Sequence, residues 1–471
     1  MLNSQVPNVG KEKLNFLNLI NSYIPKKYPL PIYASIIWFV VAFTLLFFQQ
    51  VQFSFVVKNS SIEQLIYFIL NFTKLSIPLL LMCTITFYRF KKDPLTFIAA
   101  LTSGIILLFY TIDALLLNSS QVSDLLAKQH GFILMLLSIV VMTFIPFLKS
   151  SMREFWVVNN IMFVKLLKAL IVSFIMLLAT TGLLFSIDLF STIIIDFFVY
   201  KCIFIIFMYG FFPLYFLFSM PIFLKQKEVI EPKFPKFYLL FTTGYLLPLT
   251  IIGIGGMYAY FFLHVMYFVW PPIEVVLLFL LVANLVIFLM FQFELLASQL
   301  KNKLVTLFLK YICFSIIPLG SLCLVQLINF LNKEGFTEFW YSMAWGIVWI
   351  LGVCLYFSFS KIRDIRIIPI TLSVILCMLL IPPMSPFSVS IRSQYNHLIQ
   401  ELKANSVIGS DELIVLDKRH EISQITQEKI KARIYFLNQH NHLKLFQKYY
   451  PYPIDEQSIS VQRLWQDLGI N

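Results

Sequence analysis

Eight ionisable residues sit inside or at the ends of long apolar runs: Lys74, Asp113, Asp188, Asp196, Lys201, Glu274, Glu294 and Lys310. A charge at the centre of a bilayer costs about 2.5–3.5 kcal/mol or more, so such side chains pair, snorkel or line a polar route. Lys74 and Lys310 lie deepest in their runs. Each precedes a proline, Pro78 or Pro318, and a broken helix exposes carbonyls that can line a cavity. The functional reading is a polar pathway between helices, with both lysines paired to carboxylates. The structural alternative is that long lysine stems lift their amines to the interface, while the prolines merely kink the packing.

A second group carries phosphate-binding chemistry. Arg363, Asp364 and Arg366 precede the last apolar run, where they suit lipid phosphate or simply supply topological charge. Arg392 and Gln394 follow that run and suit headgroup contact or the stitching of a polar tail to the membrane body. Other chemistry is thinly represented. His440-Asn-His442 places its imidazoles at i and i+2, which face apart on a helix, and reads as solvated surface. No Cys/His zinc spacing, nucleotide loop, nucleophile elbow or HExxH stands in a fitting context. No catalytic residue, metal site or cofactor is predicted. All six cysteines lie in apolar runs and predict no disulfide framework.

The elements that must position these residues follow from composition. The chain has 471 residues, 59% hydrophobic and only 13% charged, against about 25% charged in a soluble protein. Apolar runs of bilayer-spanning length recur without strand-like alternation. The fold class is therefore an all-α polytopic membrane protein. Spans are predicted at about 32–48, 64–88, 94–117, 131–148, 169–187, 197–223, 237–264, 272–296, 304–330, 339–359 and 367–384. The run at 237–270 is kept as one span despite the glycines of Ile252–Gly256. Two amphipathic surface helices are expected, at 11–24 and over Ser151–Lys168.

Basic residues give an orientation. One set of loops holds twenty lysines and arginines, the alternate set only Lys58, Lys128, Lys201 and Lys333. The richer side is cytoplasmic, which explains the net charge of +12 without nucleic acid. The reading is an N-terminal cytoplasmic segment (1–31), a membrane bundle (32–384) and an outer domain (385–471). No signal peptide is recognised before the first span. In the tail, helices are expected at about 388–404 and 422–438. The second carries Ile422, Ile425, Ile430, Ile434 and Leu437 on one face, and short turns follow near Leu443–Tyr449 and Val461–Leu468.

Several strings then look familiar. Asn332-Lys-Glu-Gly-Phe-Thr-Glu338 with Tyr341 is similar to a YGLTE-x-RY signature, Arg363-Asp-Ile-Arg-Ile-Ile-Pro369 to RDxRLIP, and Ser388-Val-Ser-Ile-Arg-Ser-Gln394 to SxRSQ. With Tyr260 to Trp270-Pro271, the chain resembles the bacterial membrane family called domain of unknown function 4153, best over 237–450. The resemblance implies a polytopic bacterial inner-membrane protein and no particular activity. Trp340 stands where that signature has arginine, and family members run on beyond the point equivalent to Asn471.

Three functions compete. Transport or handling of a lipid or envelope component would use the intramembrane charges. A structural or sensory envelope subunit would bind a partner through the outer domain. A lipid-linked glycosyl transferase would need acids on the first outer loop, where Glu63 stands alone over Gln49–Gln64. The expected partners are membrane lipids and either an envelope protein or a second copy of this chain.

Overall fold

The computed structural model describes residues 29–52, 60–90, 94–119, 124–190, 195–220, 236–300, 302–408, 423–440, 442–450 and 464–465. Over these the protein is an all-α polytopic membrane protein. Nine described helices are long and apolar enough to cross a membrane, and two shorter apolar helices, Leu30–Thr44 and Ile367–Leu380, join them. These eleven coincide with the eleven predicted segments. The surface helix expected at 11–24 and most of the turn at 461–468 lie outside the described residues.

In chain order the helices are α1 (Pro29–Gln52), α2 (Ser60–Phe90), α3 (Pro94–Ser119), α4 (Asp124–Phe144), α5 (Met152–Phe190), α6 (Phe197–Ser219), α7 (Tyr238–Met266), α8 (Val275–Leu300), α9 (Lys303–Glu334), α10 (Glu338–Phe359), α11 (Ile367–Leu380), α12 (Pro386–Ala404) and α13 (Gln424–Gln439). They group into two compact units, residues 1–92 with 161–227, and residues 93–160 with 228–471. The first contains α1, α2, α6 and the later part of α5. In it α1 packs along α2 and along α6. The second contains the remaining helices. In it α4 lies against α11, α8 and α9 pack together, and α10 packs on α8, α9, α11 and α12.

Three local outcomes differ from the sequence reading or decide it. The surface helix expected over Ser151–Lys168 is not separate from the next span, because α5 runs unbroken through both for 39 residues. Its first turns are buried rather than laid on lipid. Trp156 Nε1 donates to Phe291 O at 2.7 Å and Asn159 Nδ2 to Thr143 O at 2.9 Å, so polar groups that favour an interface are satisfied inside the protein. The 237–270 run is one span, and its glycines do not break it. Its irregularity is a π-helical stretch, Phe241–Leu246, just before Pro248. An equivalent stretch, Ile206–Phe211, precedes Pro213 in α6. Proline lacks an N–H and its ring clashes with the carbonyl four residues back; a wider turn relieves both. By contrast, α2 and α9 run on through Pro78 and Pro318 as single helices.

The polar tail folds as two helices and a 3₁₀ turn, Leu443–Lys448. Its core joins Ile391, Leu398 and Leu402 of α12 to Ile430, Ile434 and Leu437 of α13, with Phe446 and Tyr450 closing one side. Ile425, expected on the buried face, is instead 70% exposed, because it lies in the first turn, short of the α12 contact. The tail belongs to the second compact unit rather than standing alone.

Candidate functional site

The reason the tail joins that unit is a buried polar junction at the α9–α10 turn. Helix α9 ends at Glu334, and Gly335 follows with φ 84° and ψ 162°, a region essentially reserved for glycine. Thr337 then caps α10 by accepting from Trp340 N, which places Glu338 in the first turn. A Cβ on Gly335 would lie 2.9 Å from Gln394 Nε2, so the turn and α12 meet at closest range there.

Helix α12 presents Ser390, Ser393, Gln394 and His397 at i, i+3, i+4 and i+7, which is one helical stripe. Every member bonds to the end of α9, to the turn or to α10. Ser390 Oγ donates to Glu338 Oε1 at 3.0 Å, and Phe336 N donates to Ser393 Oγ at 2.9 Å. Gln394 Nε2 donates to Phe336 O at 3.0 Å and Glu334 O at 3.3 Å, and His397 Nε2 lies 3.3 Å from Asn332 O. Two of the strings that carry the family resemblance are thus bonded to each other. Gln394 stitches the tail to the body, one of its two expected roles. Arg392 is exposed and takes no part.

Helix α13 closes the junction. His440, expected on the surface, is 2% exposed, with Nε2 3.2 Å from Glu338 Oε1 and its ring edge-on to Phe387 and Phe436. Arg433, 4% exposed, is ion-paired to Glu401 and donates to Glu334 O at 3.3 Å. Lys429 Nζ lies 2.7 Å from Glu334 Oε1. Serine, histidine and glutamate meet here, but the carboxylate stands between the hydroxyl and the imidazole. In a hydrolytic triad the imidazole must stand between, to move the hydroxyl proton. This arrangement holds elements together; it is not set up to activate a nucleophile.

A second polar turn follows α10. Asp364 takes Arg366 side-on, Oδ2 to Nη2 at 2.7 Å, and also accepts from Arg366 N at 3.0 Å. Arg366 Nη1 donates to Ser150 O at 3.0 Å, and Arg363 Nη1 to Leu309 O at 3.3 Å. Burial pushes the Asp364 carboxyl up, but the hydrogen bonds and charge of Arg366 outweigh it and hold it below the ordinary range. The hydrogen bonds that Arg366 donates to Asp364, against a smaller desolvation, raise Arg366 in turn. Arg366 therefore spends its donors on protein oxygens rather than on a lipid phosphate.

The intramembrane candidates do not converge. Among the described residues no lysine–carboxylate pair forms within a span. Lys74 is half-buried in α2 without an ion pair. Lys310 is exposed, its Nζ 5.0 Å from the Tyr311 ring centre, and makes no ion pair among the described residues. Asp188 accepts from Ile195 N at 3.0 Å, and Asp196 accepts from Phe198 N at 2.9 Å and caps α6. Lys201 is exposed over the Phe197 ring, and Glu274 is exposed ahead of α8. Glu294, half-buried, lies within the field of Arg363. Asp113 is on α3, with its side chain outside the described residues. No cluster of metal-ligating side chains occurs among the described residues. Sequence reasoning passed over Glu338, Ser390, Glu401, Arg433 and His440. The stripe from Ser390 to His397 was the available signal.

Comparison of the chain with protein-family models, with curated proteins and with solved structures finds no match.

Proposed function

We propose that the chain is a structural or sensory subunit of a bacterial envelope, set in the inner membrane with its N-terminus in the cytoplasm and 385–471 in the periplasm. Membership of the domain of unknown function 4153 family accompanies this reading. The observation that carries it is the burial of Glu338 beneath both Ser390 and His440. A tail tied by buried polar contacts to the start of α10 transmits what it binds into the membrane bundle, whereas a tethered tail does not. The partner it fits is an envelope protein or polymer bound on the tail. Transport along a polar route retains Lys74 alone of its two deep lysines, and is the weaker reading.

Two experiments test this. Alkaline phosphatase and green fluorescent protein, fused in turn after Asn471, should give phosphatase activity and no fluorescence; the reverse overturns the placement. In host cells, deleting 388–471 and the single substitution Gly335→Ala should produce the same envelope defect. A deletion phenotype that Gly335→Ala does not share, with the protein at normal abundance, rejects coupling as the function.

A further inference from the structure

The first compact unit contains a groove that the tail junction does not touch, and the inference below stands apart from the reading above. The groove holds about 430 Å³, within the range of small-molecule sites, and is lined by Ala42 and Leu46 of α1, Leu70 of α2, and Phe197, Lys201, Phe204 and Tyr209 of α6 among others. All but Lys201 present hydrocarbon or ring surface. Gly210 lets this wall form: a Cβ there would lie 2.9 Å from the Phe39 ring of α1. Tyr209 belongs to the π-helical stretch and packs against Trp38 at a tilt of 31°, ring centres 4.6 Å apart.

Among the described lining residues Lys201 is the one charge. Its Nζ lies 5.1 Å from the Phe197 ring centre, and among the described residues it makes no ion pair. The nearby acids are committed elsewhere, Asp188 to Ile195 N and Asp196 to Phe198 N. Asp196 is exposed and caps α6, marking its polar end. Lys201 sits about 7.5 Å further along the helix, and Tyr209 about 12 Å beyond that, at roughly 1.5 Å per residue. An amine at headgroup depth above an apolar trough matches an amphiphile with a negative head and a hydrocarbon tail.

We infer that this groove binds an anionic glycerophospholipid, with one acyl chain between α1 and α6 and the headgroup phosphate on Lys201. A charge near the membrane surface contributes on the order of 1 kcal/mol toward an anionic lipid, which is about fivefold in occupancy. The full chain, purified in detergent and offered phosphatidylglycerol and phosphatidylcholine with identical acyl chains, is read by native mass spectrometry. The wild type should retain phosphatidylglycerol about fivefold over phosphatidylcholine. Lys201→Gln should bring that ratio near one, Lys201→Arg should preserve it, and Lys310→Gln should leave it unchanged. Leu70→Trp, which fills the trough, should reduce retention of both lipids.

Equal retention of the two lipids by the wild type overturns the inference, as does a Lys201→Gln variant with undiminished preference. Displacement of phosphatidylglycerol by stoichiometric polyprenyl phosphate, with no back-exchange, also overturns it in favour of a single-chain carrier. If Lys201→Gln does not fold, the Lys201→Arg and Leu70→Trp variants decide the matter on their own.

Discussion

The two ends of α10 are fastened in different ways. At its start, the α9–α10 turn is held partly through backbone carbonyls, but also by buried side-chain pairs, Glu338 with Ser390 and His440. At its far end, the turn before α11 is held by arginines reaching backbone carbonyls, with the Asp364–Arg366 pair about a quarter exposed. A contact to a carbonyl survives most substitutions of the residue that owns it. A contact between two buried side chains fails when either is changed, because the survivor is stranded. The start of α10 should therefore be the fragile end, and the one through which changes in the tail are felt.

The largest effect is expected from Glu401→Ala. It leaves Arg433 buried without its carboxylate, at a cost of about 3 kcal/mol. Hydrogen–deuterium exchange should show faster opening of 424–439, with 367–380 unaltered. Equal opening at both sites would erase the contrast. Gly335→Ala comes next, at about 2 kcal/mol, since it needs a backbone region closed to alanine and drives a methyl at the Gln394 amide. Its signature is lost protection at both 386–404 and the start of α10.

Glu338→Leu removes the shared acceptor of Ser390 and His440 and should cost about 1–2 kcal/mol. Here the tail should loosen while the α10–α11 turn stays protected. Smallest is Asp364→Asn, about 1 kcal/mol for a partly exposed pair. The pH dependence sharpens the contrast. Because Asp364 titrates below its unfolded value of about 3.9, its contribution is complete above that value and lost as pH falls through the folded one. Protection at 361–370, corrected for the intrinsic pH dependence of amide exchange, should therefore fall in acid in the wild type, and Asp364→Asn should flatten that fall.

The spans were legible because bilayer thickness imposes a length on apolar runs, and that length is local information. The polar stripe of α12 was equally local, yet its meaning was not. Its partners lie more than fifty residues away, and nothing in the stripe says whether it faces water or protein. His440 was misplaced for the same reason, since helical spacing separates faces without saying which is covered. Ile425 failed in the opposite sense, as an apolar residue in the right phase but beyond the end of its partner helix. For the deep lysines, a sequence does not distinguish a half-buried amine, as at Lys74, from an outward one, as at Lys310. Prolines announced irregular helices, but packing determined that Pro213 and Pro248 sit after widened turns while Pro78 and Pro318 do not.

Those widened turns have an arithmetic consequence. A π turn is an α-helix with one residue inserted, and one residue corresponds to about 100° of rotation. Deleting a single residue from Ile206–Phe211 would restore an ordinary helix and swing everything before it, Phe197 to Ile205, by that angle. Lys201 would then point a quarter-turn away from Leu46 and Leu70, with composition and hydropathy scarcely altered. What α6 offers its surroundings is thus set by a count of residues as much as by their kind.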